Sequence, residues 1–246
     1  MISVLILTKN SQQTIKKTLD STHSFAEVIL LDTGSSDATL QIAKEYPHVR
    51  IFTSPFIGFG RLRNLAASYA RFDWLLALDS DEVLSSPLVE EIRQTCLDPS
   101  KVYSFPFLNF YKGRQVKCCG WHPESHIRLY NRKTTSFQEY EVHEGVRVDG
   151  LTVFSFTHQI HHFPYLSIDD FLRKMQHYTS LFAKQNKHKK KSSFLTAFLH
   201  GSGSFFKSYL LQRGIFYGSV GFIIATYNAS TAFYKYLKLA DENLKP

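Results

Sequence analysis

Four short apolar runs divide the first hundred residues, at 2–7 (ISVLIL), 27–32 (EVILLD), 49–54 (VRIFTS) and 74–79 (WLLALD). Each is followed by a polar, helix-compatible stretch, the third being the most periodic: Leu62, Leu65, Ala66, Tyr69 and Ala70 fall on one helical face. Short apolar runs with little polar alternation, as in 4–7, 28–31 and 74–78, read as strands buried on both faces. Strand, helix, strand, helix in succession predicts a parallel sheet covered on both sides, which binds ligands beyond the carboxyl ends of its strands.

From about residue 102 the pattern changes. Extended segments flank a turn at Lys112–Gly113, and 126–131, 140–148 and 151–163 read as further short strands of a mixed sheet. From Ser167 the chain turns helical, with Ser167 as a cap ahead of Asp169 and Asp170. A basic run at 184–191 follows, then aromatic-rich helices. No charge occurs between Arg213 and Lys235, but Asn228, three glycines and several hydroxyl residues lower the hydropathy there. That segment reads as a core helix pair or a helix in a membrane interface rather than a span. The predicted organisation is 1–166 as one α/β domain, in halves 1–100 and 101–166, and 167–246 as a helical region.

The predicted strand ends carry the candidate chemistry. Thr8, Lys9 and Asn10 follow the first strand, Asp32 to Asp37 the second, and Asp79, Ser80, Asp81 and Glu82 the fourth. Single loops are often polar because Asp and Ser cap helices, and Asp37, Ser85 or Ser86 can be read that way. Three such loops at one edge point to a ligand. Three carboxylates in four residues repel one another, and burying one unpaired costs several kcal/mol. A cation is therefore expected among them. Asp79 and Asp81, one residue apart with Ser80 turned away, can reach a single divalent ion, and hard oxygen donors suit Mg²⁺ or Mn²⁺ carrying a diphosphate.

The net charge of +8 suits an anionic partner: a phosphorylated ligand, an anionic membrane surface or nucleic acid. No nucleic-acid-binding motif accompanies the charge, so nucleic acid is not expected as a partner. The three cysteines, Cys96, Cys118 and Cys119, have no metal-type spacing and read as reduced thiols. The start of the chain reads as a first strand rather than a signal peptide, giving a cytoplasmic expectation. The lysines of 184–191 with Phe194, Phe198, Phe205 and Phe206 predict peripheral contact with the cytoplasmic face of an anionic inner membrane, or a solvated linker and a core.

The segments LILTKN, LLDTGSSDATLQIA, GFGRLRNLAASYARFDWLLALDSDEVL and YEVHEG together resemble family 2 glycosyltransferases, in particular the bacterial branch of lipopolysaccharide core glucosyltransferases. The resemblance continues into the C-terminal region. It implies the GT-A fold, a Rossmann-like mixed sheet flanked by helices with a C-terminal helical region. It also implies a metal-dependent inverting transfer from a nucleotide-sugar, UDP-glucose being the expected donor, to a lipopolysaccharide core or other glycolipid acceptor. By this resemblance Thr8 and Asn10 line the base and ribose pocket, and Asp32 contacts the base. Arg63, with Arg61 as competitor, approaches the diphosphate, and Asp79 and Asp81 hold the metal with His162 as a third contact. Glu144 is the expected general base, with Glu124 its rival and His143 an orienting group. A surface ion pair of Glu144 with Arg147 or Arg128 is the plain alternative. Two other readings are a polyprenyl-phosphate sugar transferase and a nucleotide-sugar-binding scaffold without catalysis. Oligomeric state is not legible.

Overall fold

Alternation within the buried strands decides how the sheet is covered. The structure is a computed structural model that describes residues 1–139 and 145–244. In chain order the elements are β1 (Ile2–Thr8), α1 (Ile15–Asp20), β2 (Glu27–Asp32), α2 (Thr39–Ala43), β3 (Val49–Thr53), α3 (Phe59–Tyr69), β4 (Trp74–Asp79), β5 (Glu82–Leu84) and α4 (Ser86–Gln94). Then come β6 (Lys101–Tyr111), β7 (Arg114–Val116), β8 (Ser125–Asn131), β9 (Thr152–Ser155), β10 (Ile160–Tyr165), α5 (Ile168–Asn186), α6 (Phe194–Phe206) and α7 (Gly218–Leu244). A π-helical turn (Lys207–Leu211) and a 3-10 turn (Gly214–Tyr217) join the last two helices. The chain forms two units, Met1–Leu108 with Glu124–Phe163, and Asn109–Pro123 with Pro164–Pro246.

In the first unit β3, β2, β1 and β4 run parallel in that order, and β8 joins β4 antiparallel. Side chains alternate across a strand, so each strand feeds two cores. Val4, Ile6, Val28, Leu30, Leu76 and Leu78 pack with Ile15, Leu19, Leu88 and Ile92 of α1 and α4. Leu5, Leu7, Ile29, Leu31, Leu75 and Ala77 pack with Leu62 and Ala66 of α3. This is the doubly covered parallel sheet that the apolar runs predict. The stretch 151–163, read as one strand, is two: β9 runs parallel to β6, and β10 runs antiparallel to β5. One buried acid secures the start of β2. Glu27 accepts from Ser3 Oγ at 2.6 Å, Arg50 Nη1 at 2.7 Å and the Arg71 amide at 2.8 Å. Burial pushes its carboxyl up, and these donors more than reverse that, holding it below its ordinary value.

In the second unit β7 turns back on the end of β6 through Lys112 and Gly113. Residues 109–123, placed by sequence with the α/β half, belong here with the helices. The reason is packing: Tyr111, Val116, Cys118 and Cys119 share a core with Phe171, Val220, Ile224 and Ala225. Trp121 lies against Tyr165 at 5.5 Å within that same packing. The expected Ser167 cap is present: Ser167 Oγ accepts from the Asp170 amide, and the Asp170 carboxylate accepts from the Ser167 amide. Among the described residues no helix is long and apolar enough to cross a membrane.

Candidate active site

Register brings the polar strand ends to one edge. Thr8 pairs with Asp32, Asp32 with Thr53, and Leu7 with Asp79, so the last residues of β1, β2, β3 and β4 lie side by side. Parallel strands of matched length finish together, and the side chains just past the last apolar residue share one rim.

The acidic run at the end of β4 is neutralised in part by the chain itself. Arg63, buried on α3, donates through Nη1 to the Leu78 carbonyl at 2.6 Å and through Nη2 to Asp79 Oδ1 at 2.5 Å. Arg128 on β8 donates to Asp79 Oδ2 at 3.1 Å and also to Glu82 Oε1. Glu82 is buried, and its Oε2 accepts from the Asp79 amide at 3.0 Å. Burial would raise Asp79, but Arg63, Arg128 and then His162 hold its carboxyl well below the usual carboxylate range. Glu82 goes the other way: burial pushes it up to about 8 despite Arg128, with Asp79 and Asp81 adding to the rise. Arg128 is lowered by burial and raised further by the two carboxylates, so it stays charged. The cation expected from the sequence is thus partly two arginines, and the side chain of Asp79 remains 41% exposed.

Asp81 lies in the turn after β4. Its carbonyl accepts from the Phe163 amide at 2.9 Å, and its Oδ1 lies 3.7 Å from His162 Nε2. Pairing of β10 with β5 sets His162 opposite Glu82, which carries the ring to the acidic turn. Ser80 turns toward the first strand end, its Oγ 2.7 Å from Ser11 Oγ. His158, two residues before β10, pairs with Glu91 at 2.8 Å. Among the described residues no group of three or more His, Cys, Asp or Glu is arranged to hold a metal. One or two carboxylates completed by a diphosphate is nevertheless the usual Mg²⁺ arrangement. Asp79 and Asp81, both partly exposed, supply that hard-oxygen set.

The neighbouring rim is built around Asp32. Its Oδ2 accepts from the amides of Gly34 and Ser35, both at 2.9 Å, and its Oδ1 from Ser35 Oγ at 2.5 Å. Gly34 has φ 100°, a conformation other residues rarely adopt, and so permits this tight turn. Asn10, itself at φ 51°, donates its amide to Ser35 Oγ at 2.8 Å and accepts from the Ser36 amide at 2.8 Å. Asp32, Thr33, Gly34, Thr53, Ser54 and Pro55 line a cavity of about 320 Å³. Thr8 Oγ1 is buried with no hydrogen-bond partner among the described residues, the kind of orphan that a ligand satisfies. Asp37 serves locally, its carboxylate accepting from the Thr39 and Gln12 amides.

Other expected residues are dispersed. Arg61 is exposed, with Nε 3.7 Å from Glu139. Glu124, one residue before β8, accepts through Oε1 from His126 Nε2 at 2.8 Å. Glu144 and His143 lie outside the described residues. Their flanks are held: Phe137 bridges Val146, and the Gln138 amide donates to the Gly145 carbonyl at 2.8 Å. Gly60 allows α3 to approach this segment, since a Cβ there would meet the Gln138 carbonyl oxygen at 1.9 Å. Arg128, an ion-pair candidate for Glu144 by sequence, is committed to Asp79 and Glu82. Arg128 and Glu82, which the sequence offers only as an ion-pair alternative for Glu144 and as one of three clustered carboxylates, take site roles that it does not assign: Arg128 holds Asp79 and Glu82 together. The available signal was Glu82 itself, a third carboxylate entering a strand (Val83 and Leu84 follow) with no cation nearby in sequence.

An α/β sheet with a nucleotide-sized cavity at one strand end and a cation-balanced acidic turn at another defines a class: proteins that bind phosphorylated ligands at a sheet edge. The sequence profile of Glycosyl transferase family 2 matches residues 3–156, and the chain belongs to that family and has its GT-A fold. It is 29% identical to an uncharacterized glycosyltransferase of Rickettsia typhi over 99% of this chain and 88% of the relative. It is 24% identical to the lipopolysaccharide core biosynthesis glycosyltransferase LpsC of Rhizobium meliloti over 94% of this chain and 89% of the relative. Among solved structures it is similar to Staphylococcus aureus TarS 1–349 in complex with UDP-GlcNAc: TM-score 0.47, 18% identity, covering 93% of this chain and 90% of that one. The chain is a glycosyltransferase.

Proposed function

We propose that the protein is an inverting, metal-dependent glycosyltransferase that moves a sugar, glucose in the first instance, from a UDP-sugar to a lipopolysaccharide core or similar membrane-anchored glycan. The observation that carries this reading is the shared rim: Thr8, Asp32 and Asp79 are brought together by strand register, and Asp81 follows two residues on. The acceptor class rests on the relative LpsC, whose name assigns it to lipopolysaccharide core biosynthesis. A place on the cytoplasmic face of the inner membrane belongs to the same reading.

In this mechanism the nucleoside enters the cavity beside Asp32, whose carboxylate is pre-set by Gly34 and Ser35. Thr8 and Asn10, at the neighbouring end of β1, are the residues this reading gives to the base and ribose. Asp79 and Asp81, with His162 beside them, would hold a Mg²⁺ or Mn²⁺ ion, which would supply Lewis-acid stabilisation of the departing diphosphate. Arg63 and Arg128 each grip one oxygen of Asp79, so the carboxylate is oriented before the ligand arrives. Arg63 therefore works beneath Asp79, and Arg61, exposed on the same helix and 3.7 Å from Glu139, is its competitor for the diphosphate. Glu144 takes the proton from the acceptor hydroxyl as that oxygen attacks the anomeric carbon, with His143 orienting it. Glu124, tied to His126, is the other candidate base.

Calorimetric titration of UDP into the protein, with Mn²⁺ and with chelator, tests the donor site. Binding that needs Mn²⁺ and is lost in Asp81→Asn is the expected result, and transfer from UDP-sugars is then screened. No binding of UDP, GDP or ADP overturns the donor-site reading, whereas binding without transfer from any nucleotide-sugar favours the scaffold without catalysis.

A further inference from the structure

Helix α6 is built inside out. Its small residues Ala197 and Gly201 are the buried ones, and a Cβ at Gly201 would lie 3.0 Å from the Phe233 Cβ of α7. Its large residues face solvent: Phe194, Leu195, Phe198, Leu199 and Phe206 are 53–66% exposed. At 100° per residue these five positions fall within an arc of about 140°, one continuous stripe. The turns that follow extend it, with Leu211 82% and Phe216 80% exposed. A water-soluble helix shows the reverse arrangement, and monomers rarely leave apolar patches beyond a few hundred Å² uncovered.

Charge identifies what covers it. Between residues 171 and 240 the chain carries eleven lysines and arginines and no aspartate or glutamate. Lys189, Lys190 and Lys191 precede α6, Lys207 and Arg213 follow it, and all five are exposed. A second copy on this face would oppose cation to cation with no carboxylate from this stretch to meet them, which is costly. An anionic surface meets both features. α6 has 13 residues, about 20 Å of helix, too short for the roughly 30 Å hydrocarbon core. It suits a helix lying in the headgroup plane.

We propose that the outer stripe of α6 and the turn bearing Leu211 and Phe216 form a docking surface for an anionic lipid bilayer. The apolar side chains sink to the acyl boundary while Lys189, Lys190, Lys191, Lys207 and Arg213 meet lipid phosphates. This deepens the proposed function by naming the face that meets the membrane, and rests on it only for the identity of a membrane-borne acceptor.

The test is co-sedimentation of the full chain with vesicles of phosphatidylcholine and phosphatidylglycerol (3:1), against phosphatidylcholine alone, with light scattering of the free protein. The wild type binds the anionic vesicles, and the emission of Phe216→Trp shifts to the blue on binding. Lys189→Gln/Lys190→Gln/Lys191→Gln lowers partitioning about a hundredfold at low salt, at roughly fivefold per lysine. Leu211→Ser/Phe216→Ser lowers it more than tenfold. Both variants keep the wild-type melting temperature and UDP titration, so loss of docking is separable from loss of the donor site. Equal vesicle binding by wild type and variants overturns the proposal. So does a dimer broken by Leu211→Ser/Phe216→Ser in a protein that ignores vesicles.

Discussion

The two units treat the same residue types in opposite ways. In the first, leucine goes inward and charge is paired: Leu62 is buried against the sheet, and Asp79, Glu82, Arg63 and Arg128 neutralise one another at the strand end. In the second, leucine and phenylalanine on α6 go outward and the cations of 171–240 have no carboxylate among them. The difference teaches that hydrophobic burial alone does not place a residue; the medium on each side does. The first unit is finished against water and a small ligand, and the second presents a surface finished only by something anionic and apolar together.

The largest effect is expected where a buried ion pair is broken. Arg128→Ala strips Asp79 of one of its two cations and leaves buried Glu82 without its Oε1 donor, and chemical unfolding should show a loss of about 3–5 kcal/mol. Glu82→Gln/Arg128→Met replaces the buried acid together with its cation and should recover part of that stability, while UDP–Mn²⁺ affinity stays reduced because Asp79 has lost one of its two holders. Recovery of affinity along with stability would make Arg128 a purely structural partner.

A matched pair of leucines tests the inside–outside contrast directly. Leu62→Ala should cost about 2–5 kcal/mol, as for other buried leucines. Leu199→Ala should stay within about 0.5 kcal/mol, as at other exposed sites. Equal costs would break the comparison, because α6 would then be covered in solution.

Glu27 sharpens the account of the first unit by pH. Its folded-state carboxyl is held below the ordinary value of 4.5, so the stability it contributes is present above that value and is lost as pH falls through the folded value. Glu27→Gln should be less stable at neutral pH by about 1.5–3 kcal/mol, the range for hydrogen bonds to a charged group. Its stability should also depend less on pH below about 4.5. An unchanged acid limb in denaturation profiles would remove Glu27 from the acid response.

The sequence by itself determined what is local or periodic. Unbroken apolar runs declared β1, β2 and β4, the spacing of Leu62, Leu65, Ala66 and Tyr69 declared α3, and Ser167 declared the start of α5. It also determined that Thr8, Asp32 and Asp79 end strands, because each directly follows or closes an apolar run. Strand pairing decided the rest. Arg128 reaches Asp79 only because β8 inserts antiparallel beside β4, and His162 reaches Asp81 only because β10 lies along β5. Residues 109–123 join the helices because Cys118 and Cys119 find their packing there, and α6 turns its phenylalanines outward because Ala197 and Gly201 let α7 come close. These are choices of partner across tens of residues. A one-dimensional pattern records which face of an element is apolar, whereas the free energy of pairing depends on which other face is brought to meet it.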